Sequence, residues 1–153
     1  MDNLILTGWF WKDYAVAAAV ALRHYRKADI YGVSTHRLPE LLNEIGSGYK
    51  EIAILGVGLT GDTELLEKAL TKLQKKGVHV RWISSLDFPE FIGENIRKKL
   101  DPFICYDGGI TEATSQCFKT DYADIAPLAG QDIPKSLRPI HELLELNNNG
   151  LIQ

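Results

Sequence analysis

Residues 51–83 read EIAILGVGLTGDTELLEKALTKLQKKGVHVRWI, and this stretch decides the fold class. Ile52, Ile54 and Leu55 form a short apolar run closed by Gly56-Val57-Gly58-Leu59-Thr60-Gly61, the pattern of a buried strand entering a glycine-rich turn. Leu65, Leu66, Ala69, Leu70 and Leu73 then recur at helical spacing, with Asp62 at the capping position and Gly77 where the helix should stop. Glu64 and Glu67 lie early while Lys72, Lys75 and Lys76 lie late, an order that the helix dipole favours. Residues 78–83 are apolar again and predict a second strand. Two strands joined through a helix pair in parallel by a right-handed crossover.

Outward from this unit the same alternation repeats. Leu4-Ile5-Leu6-Thr7, stopped by Gly8, predicts a strand, and the alanine-rich run that follows predicts a helix over about 13–27. Residues 29–34 read as a strand and 39–45 as a helix with Pro39 in its first turn and Gly46 beyond its end. Downstream, Asp87 and Pro89 open a helix whose Phe88, Phe91, Ile92, Ile96 and Leu100 form one stripe, ended by Pro102. A strand over 103–106, the turn Asp107-Gly108-Gly109 and a helix over 111–118 complete the series. The expectation is an α/β, doubly wound, mainly parallel sheet of about five strands with helices on both faces. It occupies residues 1–120. Residues 121–153 read as a trailing helical or linker segment, with a helix over 135–146 and a polar end, Asn147-Asn148-Asn149-Gly150, that reads as a boundary before a second domain.

Composition narrows the chemistry. The chain has 153 residues, 45% hydrophobic and 24% charged, the balance of one ordinary globular domain with no apolar run long enough to span a bilayer. Its formal charge of -3 supplies no general attraction for nucleic acid. Cys105, Cys117, His24, His36, His79 and His141 lack the spacing of a local zinc site. The start, Met1-Asp2-Asn3, has no basic or apolar leader pattern, so a cytoplasmic location with reduced thiols is expected.

In an open parallel sheet, ligands bind beyond the carboxyl ends of the strands. That rule selects Lys12, Asp13, His36, Arg37, Asp62, Ser84, Ser85, Asp87, Asp107 and Thr111 as polar candidates. Gly56, Gly58 and Gly61 match G-x-G-x-x-G between a strand and a helix, where free N–H groups suit a pyrophosphate. The match lacks the acidic residue after the next strand, which ends in Ser84-Ser85, and Asp62 would repel phosphate. Trp9 and Trp11 could stack on bases, but no basic stripe accompanies them, which favours a core or interface role. Lys12 and Arg37 could combine as an anion site. Cys105 and Cys117 read as buried thiols.

Over residues 4–118 the element order and the phrases Ile54-Leu55-Gly56-Val57-Gly58-Leu59 and Val78-His79-Val80-Arg81-Trp82-Ile83 resemble the N-terminal lobe of DHH-family phosphoesterases, which include RecJ-like exonucleases and exopolyphosphatases. The resemblance implies a pair of Mn or Mg ions. In the first loop it places Trp9 at the family's histidine, Trp11 at the first aspartate and Asp13 at the second, with Tyr14 where a glycine follows. Gly56 or Val57 falls at the strand-end aspartate, and Ser84-Ser85-Leu86 at the Asp-His-His signature. Asp13 alone matches, and one carboxylate cannot hold two hard cations. The resemblance therefore implies a degenerate, inactive DHH-like lobe that binds a phosphate-containing ligand, a nucleotide or a protein, through Lys12, Asp13, Arg37, Gly56, Gly58, Ser84, Ser85 and Asp107. Mn or Mg enters only in the alternative of an active phosphoesterase. The other alternative is a Rossmann-like dinucleotide-binding module.

Overall fold

The computed structural model describes residues 1–8, 12–58, 62–84, 90–100, 103–105 and 109–129, the side chains of 90–93 and 103–105 excepted. Five strands and five α-helices alternate: β1 (Asn3–Thr7), α1 (Lys12–Tyr25), β2 (Asp29–Gly32), α2 (Leu38–Ile45), β3 (Glu51–Leu55), α3 (Thr63–Lys75), β4 (His79–Ser84), α4 (Glu90–Arg97), β5 (Phe103–Cys105) and α5 (Ile110–Phe118). Two 3-10 turns, Gly46–Gly48 and Ala126–Ala129, complete the described chain. All strand pairs are parallel, in the order β2-β1-β3-β4-β5. The chain starts in the middle of the sheet, moves to one edge, then crosses back over β1. The direction of winding therefore reverses between β1 and β3.

Alternation along the strands serves two faces. Leu4, Leu6, Ile52, Ile54, Val80 and Trp82 point to one side, where they meet Leu38 and Leu42 of α2, Leu66, Ala69, Leu70 and Leu73 of α3, and Ile96 and Leu100. Ile5, Ala53, Leu55 and Ile83 point to the other, against Ala17, Ala18 and Ala21 of α1 and Ile110, Ala113 and Phe118 of α5. With both faces covered, the strands have no polar side, which is why their sequences read as continuous apolar runs. The alanines of α1 let that helix lie close to the sheet.

The helix ends show local chemistry at work. Asp62 caps α3, its Oδ1 accepting from the Leu65 N–H at 3.0 Å, and Gly77 turns the chain at φ 74°. The helix α1 ends at Tyr25 rather than Lys27. Arg26 takes the left-handed conformation, φ 67°, and its N–H closes on the Leu22 carbonyl at 2.7 Å. β2 stops at Gly32 because its sole neighbour β1 stops at Thr7. The turn after α5 runs back over α1: Arg23 donates to the Asp121 carbonyl at 3.0 Å and to both oxygens of Asp124 at 2.8 and 2.7 Å. Near the same end of α1, His24 packs against Tyr25 and Phe118, with ring centroids 5.0 and 4.6 Å away. Burial, with the Arg81 charge adding, lowers the pKa of this imidazole. The predicted Asp87 cap and the helix over 135–146 lie outside the described residues.

Candidate functional site at the carboxyl ends of the strands

The reversal of winding puts the ligand-binding end of this topology beyond Thr7 of β1 and Leu55 of β3. Backbone hydrogen bonds extend the sheet one residue further here: the Gly8 N–H donates to the Leu55 carbonyl at 3.2 Å, and the Gly56 N–H to the Ile83 carbonyl at 2.8 Å. Gly56 has φ 71°, a conformation open to glycine. Above both glycines lies the ring of Tyr14. A Cβ built on Gly8 would stand 2.6 Å from Tyr14 Cδ2, and one on Gly56 would stand 2.7 Å from Tyr14 Cδ1. The two glycines form a seat for the aromatic ring. Thr7 Oγ1 holds that ring's backbone by donating to the Tyr14 carbonyl at 3.1 Å. Burial, followed by the adjacent Asp13 charge, raises the Tyr14 pKa, so the phenol stays neutral.

Asp13, beside it, does not face open solvent. Its Oδ2 accepts from the Ile110 N–H at 2.6 Å and its Oδ1 from the Thr111 N–H at 3.1 Å, across 97 and 98 residues of sequence. Thr111 Oγ1 returns a bond to the Asp13 carbonyl at 2.8 Å. The carboxylate thus caps α5 from another helix. It satisfies two of the four N–H groups that begin any helix, at the positive end of the α5 dipole. Gly109, the residue before α5, has no side chain with which to do this. A built Cβ at Gly109 would lie 3.3 Å from Asp13 Oδ1, so the residue also leaves room for the carboxylate.

The other predicted site residues are dispersed. Lys12 is the first residue of α1. Arg37 precedes α2 and pairs with Glu40 at 2.7 Å on an exposed surface. Ser84 is buried at the end of β4. Gly58 is half-buried beyond Gly56. His36 is exposed. Cys117 is half-buried and a free thiol, and burial raises its pKa. Trp9, Trp11, Ser85, Asp87 and Asp107 lie outside the described residues. Among the described residues no group of three or more His, Cys, Asp or Glu is placed to hold a metal.

Comparisons with known proteins follow this geometry. No family model matches the chain, and no curated protein does. Solved structures do. A response regulator in red-light signalling of R. palustris superposes with TM-score 0.50 at 12% identity, covering 78% of this chain and 90% of that one. The fold is that of response regulators. A de novo designed Rossmann 2x3 protein (TM-score 0.49, 15% identity, 78% and 90% covered) and a DNA-binding response regulator of the LuxR family from Staphylococcus aureus (0.46, 16%, 78% and 98%) are also similar.

These findings correct the DHH resemblance, and with it the RecJ-like and exopolyphosphatase-related readings, degenerate or active. The similar solved structures include response regulators, and strand order β2-β1-β3-β4-β5 accounts for the β/α phrases that carried the resemblance. The chemistry agrees. Both oxygens of Asp13, the single matching ligand, already accept from α5, so among the described residues this carboxylate does not fit a Mn or Mg pair. Of the Rossmann-like alternative, the fold part stands. A pyrophosphate at the start of α3 would meet the Asp62 carboxylate, which occupies the N–H of Leu65.

Tyr14 is the residue that sequence reasoning passed over, noting it only as a departure from a family glycine. Glycines closing β1 and β3, with an aromatic two residues into the first helix, were the available signal. A direct check follows. Gly56→Ala should destabilise the fold by about 2–3 kcal/mol, from left-handed backbone cost and displacement of the Tyr14 ring. In a Tyr14→Ala background the same change should cost only the backbone part, about 1 kcal/mol. Urea unfolding of the four proteins measures the coupling, and additive effects would show that the ring is not seated on Gly56.

Proposed function

We propose that this chain is a regulatory interaction domain built on the response-regulator fold, acting through protein contacts rather than through phosphoryl transfer. One observation carries this reading. Both carboxylates at the described carboxyl edge, Asp13 and Asp62, are occupied as helix caps, and Tyr14 covers the seat between β1 and β3. Accepting a phosphoryl group at that edge requires a free carboxylate oxygen and a cation to neutralise the phosphate. Asp13 has both oxygens engaged by α5, and Asp62 spends one of its two on capping α3.

The fold leaves other surfaces for partners, and the likeness to response regulators supports a signalling role through a partner protein. No helix among the described residues is long and apolar enough to cross a membrane. With a free Cys117, the cytoplasm is the compartment we assign.

The test is treatment with acetyl phosphate or beryllium fluoride in the presence of Mg2+. The expected result is an unchanged intact mass and an unchanged melting temperature. An acid-stable but base-labile adduct of one phosphoryl group, mapped to an aspartate of the carboxyl edge, would overturn the proposal. A beryllium fluoride-dependent rise in melting temperature would do the same.

A further inference from the structure

The helices α3 and α4 both end at the side of the sheet where the strands begin, opposite the carboxyl edge. Their closing stretches are residues 72–80, KLQKKGVHV, and 95–100, NIRKKL. Together these hold Lys72, Lys75, Lys76, Arg97, Lys98 and Lys99, six of the chain's 17 Lys and Arg, and none of its 20 Asp and Glu. Asp101, next in sequence, lies outside the described residues. A chain of net charge -3 thus gathers positive charge at one end. Helix dipoles do not account for it, since the carboxyl end of a helix carries only about half a negative charge. Internal pairing does not either. Glu67 reaches Lys99 at 3.9 Å, and Lys72 donates to the Asn43 carbonyl at 3.4 Å. Lys75, Lys76 and Lys98 are exposed and have no ion pair among the described residues.

The two helix ends border one depression of about 230 Å3. Val78, Val80 and Leu100, none more than 9% exposed, line it together with Lys98 and Lys99. Gln74 and Gly77 line its α3 side, with Lys75 and Lys76 between them in sequence. Backbone hydrogen bonds fix both walls. The Val78 N–H donates to the Leu73 carbonyl at 3.0 Å, turning the chain into β4 through Gly77 at φ 74°. The Lys99 and Leu100 N–H groups prolong the end of α4 by bonding the Ile96 and Arg97 carbonyls at 3.0 and 3.1 Å. The space is smaller than the ~300–1,000 Å3 of a small-molecule pocket and suits a single apolar side chain.

We propose that an acidic segment of a partner protein docks here, seating one apolar side chain against Val78, Val80 and Leu100 and setting carboxylates beside Lys75, Lys76 and Lys98. This rests on the reading above that the chain acts through protein contacts, and it names the surface and the partner's chemistry. Charge complementarity selects an acidic partner. A nucleic acid fits less well: its phosphates would meet the lysines but leave the apolar lining unused. No Phe, Tyr or Trp lines the depression to stack on a base, and the remainder of the chain, being net negative, repels a long polyanion.

The probe is a fluorescent peptide with one leucine flanked on each side by glutamates, titrated with the full chain at low salt and followed by anisotropy. Saturable binding is expected. It should weaken about tenfold in Lys75→Glu/Lys98→Glu, where like charges then face each other. Replacing the peptide's leucine by glycine should cost about tenfold as well, since no side chain is then buried. In the wild type, amide NMR shifts on adding peptide should centre on Gly77, Val78 and residues 98–100, a readout that needs no variant. The proposal fails if the peptide does not saturate, if the charge-reversed variant binds equally, or if the shifts fall on α1 and β2 instead. A single-stranded oligonucleotide that binds more tightly than the peptide would make the patch a nucleic-acid surface and also defeat it. If the peptide fails while acetyl phosphate leaves the mass unchanged, this surface is wrong and the functional reading stands.

Discussion

Asp13→Ala should lower the stability of this domain by about 3 kcal/mol, because it removes two charge-assisted hydrogen bonds and leaves two α5 N–H groups without their acceptor. For a chain of this size that corresponds to a fall of roughly 6–12 °C in melting temperature. The bonds concerned are those to Ile110 at 2.6 Å and Thr111 at 3.1 Å. Asp13→Asn should fall between, since its amide oxygen can serve one N–H while its NH2 group confronts the other. Mn2+ or Mg2+ should leave the wild-type melting temperature unchanged. A metal-dependent rise in the wild type that disappears in Asp13→Ala would restore a metal role. An alanine variant as stable as wild type would show that the cap carries no weight.

The second large effect is at Trp82. Its side chain is fully buried on the α2–α3–α4 face of the sheet, and its indole N–H donates to the Val57 carbonyl at 2.8 Å. The residue thus joins β4 to the turn that leaves β3. Trp82→Ala should cost about 3–5 kcal/mol, through lost burial and the cavity left behind. That is a large part of the ~5–15 kcal/mol that holds a domain folded. The expected fall in melting temperature is roughly 10–15 °C. Trp82→Phe restores most of the volume but not the donor, so it should retain a deficit of about 1–3 kcal/mol from the unpaired Val57 carbonyl. Thermal and urea unfolding of the two variants separate the packing and hydrogen-bond parts. If Trp82→Phe matched wild type, the Val57 bond would be shown not to matter. If Trp82→Ala melted within a degree or two of wild type, the assignment of Trp82 to the core would fail.

The two residues differ in how far the sequence discloses them. Trp82 lies in an apolar strand between two others, so its burial follows from the local pattern around it. The same holds for Leu66, Ala69, Leu70 and Leu73, whose helical spacing places them on one buried face of α3. Asp62 is equally legible, because its acceptor role reaches only to Leu65, three residues on. Asp13 looks identical in kind: an aspartate at the start of a helix. The DHH resemblance implied a metal ligand there. Its partners lie nearly a hundred residues away, and no local pattern could connect them. The DHH resemblance failed for a related reason. Alternating strands and helices with glycine-rich turns recur wherever a parallel sheet is wound on both sides, so element order and apolar phrases do not separate one such fold from another.

The sequence by itself determined the β/α alternation, the two-faced apolar strands and the Asp62 cap, since each depends on residues within one or two turns of one another. The tertiary structure decided the strand order, the seating of Tyr14 on Gly8 and Gly56, and the assignment of Asp13 to α5. These arise where β1, β3 and the helices α1 and α5 meet, and there the hydrogen-bond and packing partners are set by the winding of the chain rather than by its neighbours in sequence.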